Sequence, residues 1–430
     1  MERYLKQLPL ELQGIILRAQ EISGRLDYKA YLVGGFVRDL ILGVPNFDVD
    51  IVVEGEGLKF AEELCKVLAG KLTRHRRFGT ATVVTHDKLK IDLASARKET
   101  YSYPGALPVV SPGNIEDDLF RRDFTINAMA ISISYADFGR FVDLFNGRDD
   151  LAHKRIRVLH DLSFMDDPTR ILRAIRFEQR YGLKIEPHTY RLLTRALKCN
   201  ALEKVDKQRI RDEVILALKE KEPIKYIRRI NRLIGFSFIN PGLKKLKRHS
   251  FLHLKAAEKE IAWFRNKFVR KRTLDAWLIY LMVILDKLNK REINLVCKRF
   301  AFRAGEAKRI ICYKSIFKDI DKQLNKKNIL PSRIYRLLEP LSYEVIILIK
   351  ATTDKERVKK HIADFLNIYN GIRLYVTGED LKNLGIEPSP YFKDILAKTL
   401  YAKIDYGLAG KEDELAFIRK FIKKNKRTLG

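Results

Sequence analysis

Apolar positions along the chain follow two rhythms. Over the first 150 residues they come in short runs that alternate or cluster, at 31–33, 49–53, 81–85, 89–94 and 128–133, the pattern of strands. One helix interrupts them at 58–68, where Leu58, Ala61, Leu64, Cys65 and Leu68 share a face. From Lys154 onward the spacing becomes helical. Stripes with three- and four-residue steps cover 166–181, 187–197, 207–219, 224–233, 254–268, 274–288 and 293–300. Asn240-Pro241-Gly242 and Pro331-Ser332 break the run. The expectation is an α+β fold, a mixed sheet with helices at 1–150 followed by helical segments at 151–220, 221–350 and 351–430.

Composition narrows the class. At 430 residues the chain exceeds what one core usually serves. Its 46% hydrophobic and 10% aromatic content is enough for packed cores. Lys and Arg number 84 against 54 Asp and Glu, a net charge of +30. Such an excess attracts a polyanion, nucleic acid or an anionic membrane surface; a solvated lysine-rich surface is the plainer alternative. A spanning helix needs about 18 apolar residues, and the longest candidate, 274–285, is shorter and carries Asp275. The N-terminus, MERYLKQLPLELQ, has no apolar signal core. Cys65, Cys199, Cys297 and Cys312 form no CxxC pair, as in proteins of reducing compartments. The expectation is a cytoplasmic, non-membrane protein with a nucleic-acid partner.

Candidate chemistry begins at Tyr31-Leu32-Val33-Gly34-Gly35-Phe36-Val37-Arg38, an apolar strand ending in two glycines before a helix. Glycines let backbone approach a ligand, and the N–H groups of a helix start favour phosphate. Arg38, one turn in, adds a cation. Read alone, the pair is more often the mark of a tight turn. Next, Asp48-Val49-Asp50 lies in a strand, where alternate residues share a face, so the two carboxylates point the same way. They repel unless a cation neutralises them. Mg²⁺, which takes one or two carboxylates plus substrate phosphates, suits the pair. Asp92, on a following strand, is either a third carboxylate for a two-metal site or a solvated strand residue.

Arg121-Arg122-Asp123 precedes the apolar element at 124–129. Its cations suit triphosphate oxygens and its carboxylate suits ribose hydroxyls, although such a triplet is also common on surfaces. Asp166-Asp167-Pro168 reads as a helix start, after which Arg170, Arg173 and Arg176 recur every third residue. A carboxylate and a guanidinium one turn apart can match the edge of a base; simple intrahelical ion pairs are the alternative.

Taken in order, GGFVRD, DVD, RRDFTINAMA and DDPTRILRAIRF resemble the class II tRNA nucleotidyltransferase and bacterial poly(A) polymerase family over about the first 220 residues. The resemblance implies a polymerase-β-like nucleotidyltransferase head at 1–150, a base-reading neck at 151–220, a body at 221–350 and a tRNA-binding tail at 351–430. It implies that Gly34, Gly35 and Arg38 meet the triphosphate and that Asp48 and Asp50 hold Mg²⁺, with Asp92 beside them. Arg122, Asp123 and Asn127 then attend the nucleotide and its ribose. Asp167 and Arg170 present a protein template to the base, with Arg173 and Arg176 accessory on the same helix. Arg209 and Glu213, at i,i+4 spacing, match a helix-stabilising motif. Thr377-Gly378-Glu379-Asp380-Leu381 with Leu384-Gly385-Ile386 is similar to a tRNA-binding turn of the tail. Two departures stand out: Asp166-Asp167 where the family has Glu-Asp, and Pro388-Ser389-Pro390 where it has Pro-Gly-Pro.

The implied activity is addition of CCA to the tRNA 3′ end from CTP and ATP; A-only, CC-only or poly(A) addition are the alternatives within the family. The loop 101–108 lies in a region linked to that specificity. A non-catalytic RNA-binding protein on the same scaffold would be expected to lack a metal carboxylate or the triphosphate arginine, and neither is lost. His160-Asp161 is a lone HD pair without the further metal-spaced residues of a phosphohydrolase, and no GxxxxGK[ST] motif exists.

Overall fold

The computed structural model describes residues 1–45, 48–75, 79–103, 105–268 and 273–425. Asn46 and Phe47 before the aspartate strand, Pro104 of the 101–108 loop and the last residues of the basic tail lie outside them. The chain divides into two compact units, Met1–Ile234 and Gly235–Gly430.

In the first unit, α1 (Glu2–Leu5) and α2 (Leu10–Leu26) precede β1 (Lys29–Val33), α3 (Gly35–Leu42), β2 (Asp48–Glu54) and α4 (Gly57–Val67). Then come β3 (Lys71–His75), β4 (Thr80–Val84), β5 (Lys90–Ser95), β6 (Arg97–Thr100), β7 (Val109–Pro112), α5 (Ile115–Phe120), β8 (Ala130–Ser132) and β9 (Phe141–Val142). Seven strands form one sheet in the order β3-β4-β5-β2-β1-β8-β9, while β6 and β7 pair separately. The pair β2/β5 is parallel and its neighbours are antiparallel. A parallel pair needs a long crossover, which α4, β3 and β4 supply, and α4 buries Phe60, Ala61 and Leu64 against this part of the sheet. Alternation in β2 buries Val49, Ile51 and Val53, leaving Asp48 and Asp50 on the other face.

The rest of this unit is mainly helical: α6 (Gly147–Ala152), α7 (Ser163–Asp166), α8 (Thr169–Tyr181), α9 (Pro187–Lys198), α10 (Ala201–Lys204), α11 (Lys207–Lys219) and α12 (Pro223–Leu233). One short parallel pair, β10 (Arg155–Ile156) with β11 (Lys184–Ile185), interrupts the expected all-helical neck. The helix expected from Asp166 starts at Thr169 instead. Asp167 is extended, at φ −132° and ψ 90°, because the residue before a proline is pushed out of the helical region. α8 packs against α11 and α12.

The second unit is helical throughout its described residues: α13 (Arg248–Lys267), α14 (Ala276–Leu285), α15 (Lys290–Arg299), α16 (Ala304–Leu324), α17 (Pro331–Leu338), α18 (Tyr343–Thr352), α19 (Glu356–Asn367), α20 (Gly378–Asn383), α21 (Pro390–Tyr406) and α22 (Lys411–Asn425). α14, AWLIYLMVIL, is apolar all round because it is buried all round, against α13, α16 and α18. Among the described residues, no helix is long and apolar enough to cross a membrane.

Candidate active site

β1 ends at Val33, and Gly34 turns the chain into α3 with φ +64° and ψ −125°. A side chain is strained there, and a Cβ on Gly34 would lie 2.4 Å from Nη1 of Arg122. Gly34→Ala is therefore expected to lower stability by about 1–3 kcal/mol and to displace Arg122. A thermal melt alongside nucleotide KM checks this; an unchanged KM would show that Arg122 does not depend on the turn.

The sheet face beside this turn carries the carboxylates. In the β2/β5 pair, Asp50 stands opposite Asp92 and Asp48 opposite Lys90. Thr82 of β4 donates to Asp92 Oδ1 at 2.6 Å, and the Lys90 ammonium contacts Asp92 Oδ2. Burial pushes the Asp50 carboxyl up to about 6; Arg122 opposes the rise, and Asp92 and Asp48 add to it. A half-buried carboxylate facing two others is short of positive charge. That charge state and an all-oxygen donor set fit a hard divalent ion held by Asp48 and Asp50 with substrate oxygens completing its shell. Among the described residues no three His, Cys, Asp or Glu side chains converge on one point, in keeping with Asp92 being engaged by Thr82 and Lys90. A cavity of about 510 Å³ opens over this face, lined by Asp50, Asp92, Lys90, His75, Arg121 and Arg122.

A second cavity, about 350 Å³, is lined by Asp123, Asp167, Arg170, Arg173, Arg209 and Glu213, and also by Arg121. Arg121 therefore marks where the two cavities adjoin. Around the second, charged groups form a network. Asp123, 8% exposed, accepts from Asn127 at 2.9 Å and from Arg173 at 2.6 Å. Burial alone would raise its carboxyl, but Arg173 and Asn127 outweigh burial and hold it at about 2. Arg173 also meets Glu213 at 3.1 Å, and Glu213 reaches Arg176 at 3.2 Å. Asn127 passes the chain on to Arg38, which is 5% exposed, ion-paired with Asp39 at 2.8 Å and bonded to the Tyr181 hydroxyl. Its guanidinium also lies 4.4 Å from the Tyr181 ring centre, a cation–π contact.

Asp167 is held at both oxygens. Oδ1 accepts from the Thr169 N–H at 3.1 Å and hydroxyl at 2.6 Å, and Oδ2 from Arg209 at 2.7 Å. Arg170, 4% exposed, donates to Ser163 Oγ at 2.6 Å and to the Arg121 carbonyl at 2.8 Å. The intrahelical Asp–Arg pairs considered above do not form for Arg170. Nor do Arg209 and Glu213 pair with each other: one reaches Asp167 and the other reaches Arg173 and Arg176, so α11 is clamped to α8 and its lead-in. Arg209 Nη1 and Arg176 Nε are buried without a partner, leaving a donor on Arg209 beside the cavity.

The structure thus brings Gly34, Arg122, Asp48, Asp50 and Asp92 to one place, and Asp123, Asp167, Arg170 and Arg173 to the next. Gly35, Arg38, Asn127 and Arg176 form the connecting and supporting layer. Sequence reasoning gave no role to Lys90, Glu99 or Asp118, and singled out Arg121 only as a cation of the Arg121-Arg122-Asp123 triplet. Asp118, wholly buried, anchors Arg121 at 2.6 Å and Arg122 at 2.8 Å, and these two arginines hold its carboxyl below the usual range despite its burial. Glu99 binds Arg97 at 2.9 Å and Arg121 at 3.2 Å. The available signal was the run Glu116-Asp117-Asp118 one turn before Arg121-Arg122, i,i+3 and i,i+4 pairs on a short helix.

The Poly A polymerase head domain family matches residues 30–157. The chain is 34% identical over 421 residues to the A-adding tRNA nucleotidyltransferase of Halalkalibacterium halodurans, covering 95% of this chain and 92% of that protein. It is 36% identical over 415 residues to the A-adding tRNA nucleotidyltransferase of Geobacter sulfurreducens. That match covers 95% of this chain and 47% of the relative, so the chain spans about half of that protein's length. Among solved structures, Thermotoga maritima CCA-adding enzyme complexed with tRNA superposes with a TM-score of 0.73 at 33% identity, covering 98% of both chains.

Proposed function

The chain belongs to the class II tRNA nucleotidyltransferase family, and from that premise we propose that it adds nucleotides to the 3′ end of tRNA without a nucleic-acid template. CTP and ATP are the donors and CCA the product. One observation carries the reading: a carboxylate face and an arginine-rich cavity of nucleotide size adjoin at Arg121. The terminal 3′-hydroxyl attacks the α-phosphorus, the bond to the β-phosphate breaks, and pyrophosphate leaves.

Asp48 and Asp50 would hold Mg²⁺, which when bound would acidify the 3′-hydroxyl and neutralise charge on the triphosphate. Arg122 meets the phosphates beside the Gly34-Gly35 turn, its guanidinium oriented by Asp118 at 2.8 Å. Arg38, expected from the sequence to meet the triphosphate, is read here instead as bracing the start of α3, since its buried guanidinium is bonded to Asn127 and Tyr181. Asp123 and Asn127 position the ribose side. Asp167 and Arg170 read the base edge, kept in place by Arg209, Thr169 and Ser163. Fixed donors and acceptors of this kind serve only a base that fits them, because a misfit leaves buried polar groups unpaired. Residues 1–150 are read as the catalytic head, 151–220 as the neck, 221–350 as the body and 351–430 as the tail on tRNA. The cytoplasm, where tRNA is processed, is the proposed location.

A second reading, A-only addition, is favoured by the names of the two relatives matched over 95% of this chain. Three tRNA transcripts, ending before CCA, after C and after CC, separate the two when each is offered CTP, ATP or both. CC followed by A on the shortest transcript is the expected result. Addition of A only to the transcript ending in CC would establish the second reading, and no addition to any would refute both.

A further inference from the structure

Asp48, Asp50, Lys90 and Asp92 lie on one face of two paired strands, Asp48 opposite Lys90 and Asp50 opposite Asp92. The Lys90 ammonium contacts Asp92 Oδ2, while Thr82 fills Oδ1 at 2.6 Å. All three aspartates act on Lys90, so its charge sits within the field of the whole carboxylate group. The other cation facing Asp50 is Arg122, and that one is tied down, to buried Asp118 at 2.8 Å and to the Asn127 carbonyl at 3.4 Å. Lys90 is different. Its side chain is 48% exposed, and a compact ammonium on a four-carbon stem can swing into water at little cost.

Resting on the metal-dependent reading above, we propose that Lys90 is the resident counter-ion of the catalytic carboxylates, holding Asp92 until a divalent ion arrives and leaving as it binds. An ammonium and a divalent cation cannot share neighbouring carboxylate oxygens without strong repulsion. Ion binding therefore has to displace Lys90 from Asp92, and part of the ion's intrinsic affinity is spent on that displacement. The lysine keeps the paired strands from carrying three unneutralised carboxylates in the metal-free protein, and in return sets the ion affinity lower than the carboxylates alone would give. Lys90 is thus a positioning residue whose effect is read in ion affinity.

The test is a titration of the full chain with Mn²⁺ alone, without nucleotide, at pH 8, with free Mn²⁺ counted by electron paramagnetic resonance. Lys90→Met is expected to bind Mn²⁺ about three- to tenfold more tightly than the unaltered protein, the scale of a half-exposed ion pair plus the lost repulsion. Lys90→Arg is expected to stay within about twofold, since it keeps the charge. Lys90→Gln keeps a donor but no charge and is expected to follow Lys90→Met, so that a folding defect in one variant does not decide the matter. Equal or weaker binding in both uncharged variants overturns the inference alone. Asp50→Asn is expected to remove binding; if the unaltered protein binds no Mn²⁺, the metal site itself is wrong and the inference falls with it.

Discussion

Asp50→Ala is expected to abolish nucleotide addition, with the single-turnover rate falling by more than about 10³-fold, because on the proposed reading the divalent ion would lose one of the two carboxylates that hold it. The fold is expected to survive. Burial raises the Asp50 carboxyl from 3.8 to about 6, against the pull of Arg122. A folded-state pKa above the unfolded value means that the native state holds the proton more tightly. In the metal-free protein Asp50 therefore costs stability progressively as pH rises from about 4 to about 6, and that cost stays in place above it. Removing the carboxylate relieves it. Thermal melts of the metal-free chain at pH 8 should place Asp50→Ala at or above the unaltered protein, and the gap should shrink toward pH 4. The same proton competes with the ion, so metal binding should weaken as pH falls through about 6. An alanine variant that still adds nucleotides at the full rate would remove Asp50 from the mechanism.

Arg173→Met has the next largest effect, and here it is on stability. Arg173 neutralises Asp123, which is 8% exposed, and shares Glu213 with Arg176. Its loss leaves a buried carboxylate that still accepts from Asn127 and from the Phe124 N–H but has lost the guanidinium that neutralises it. Breaking a buried pair from one side costs about 3–5 kcal/mol, and the lower end is expected because the Arg173 side chain retains 32% exposure. The Asp123 carboxyl, held at about 2 in the intact network, contributes stability that is present above about 4 and lost as pH falls toward 2. In the variant that acid dependence should flatten. Urea unfolding at pH 7 measures the first effect and repetition at pH 3 the second. Adding Asp123→Asn should return part of the loss, since the uncompensated charge is then gone. Additive destabilisation in the double variant would show that the two residues do not act as a pair.

Much of this molecule was legible one element at a time. Asp48 and Asp50 share a face because strand geometry alternates, and the burial of Val49, Ile51 and Val53 opposite them follows from the same rule. The Gly34-Gly35 turn, the arginine series on α8 and the apolar α14 were equally local. Where local pattern was faint, the reading failed. β3, KLTRH, is an almost wholly exposed edge strand, so no buried face marked it. The β6/β7 ribbon is likewise polar or exposed along most of its length. The start of α8 moved to Thr169 because the acidic residues before Pro168 resemble a helix cap in composition, whereas the proline holds Asp167 extended.

Which charge meets which was decided by tertiary structure. The i,i+4 spacing of Arg209 and Glu213 offered a pair on one helix, yet Arg209 reaches 42 positions back to Asp167 and Glu213 reaches 37 back to Arg176. Asp92 became a neighbour of Asp50 only through the parallel register of β2 and β5. Arg121 lines two cavities only because residues far apart in the chain, Asp50 and Asp92 on one side and Asp167 and Arg209 on the other, fold around it. The sequence by itself determined the elements, the faces they present and the residue types able to hold a metal and a nucleotide, since periodicity and backbone preference act between near neighbours. Partners for the buried charges depended on elements far apart in the chain, because a desolvated charge pairs with whatever opposite charge the packed fold brings within reach.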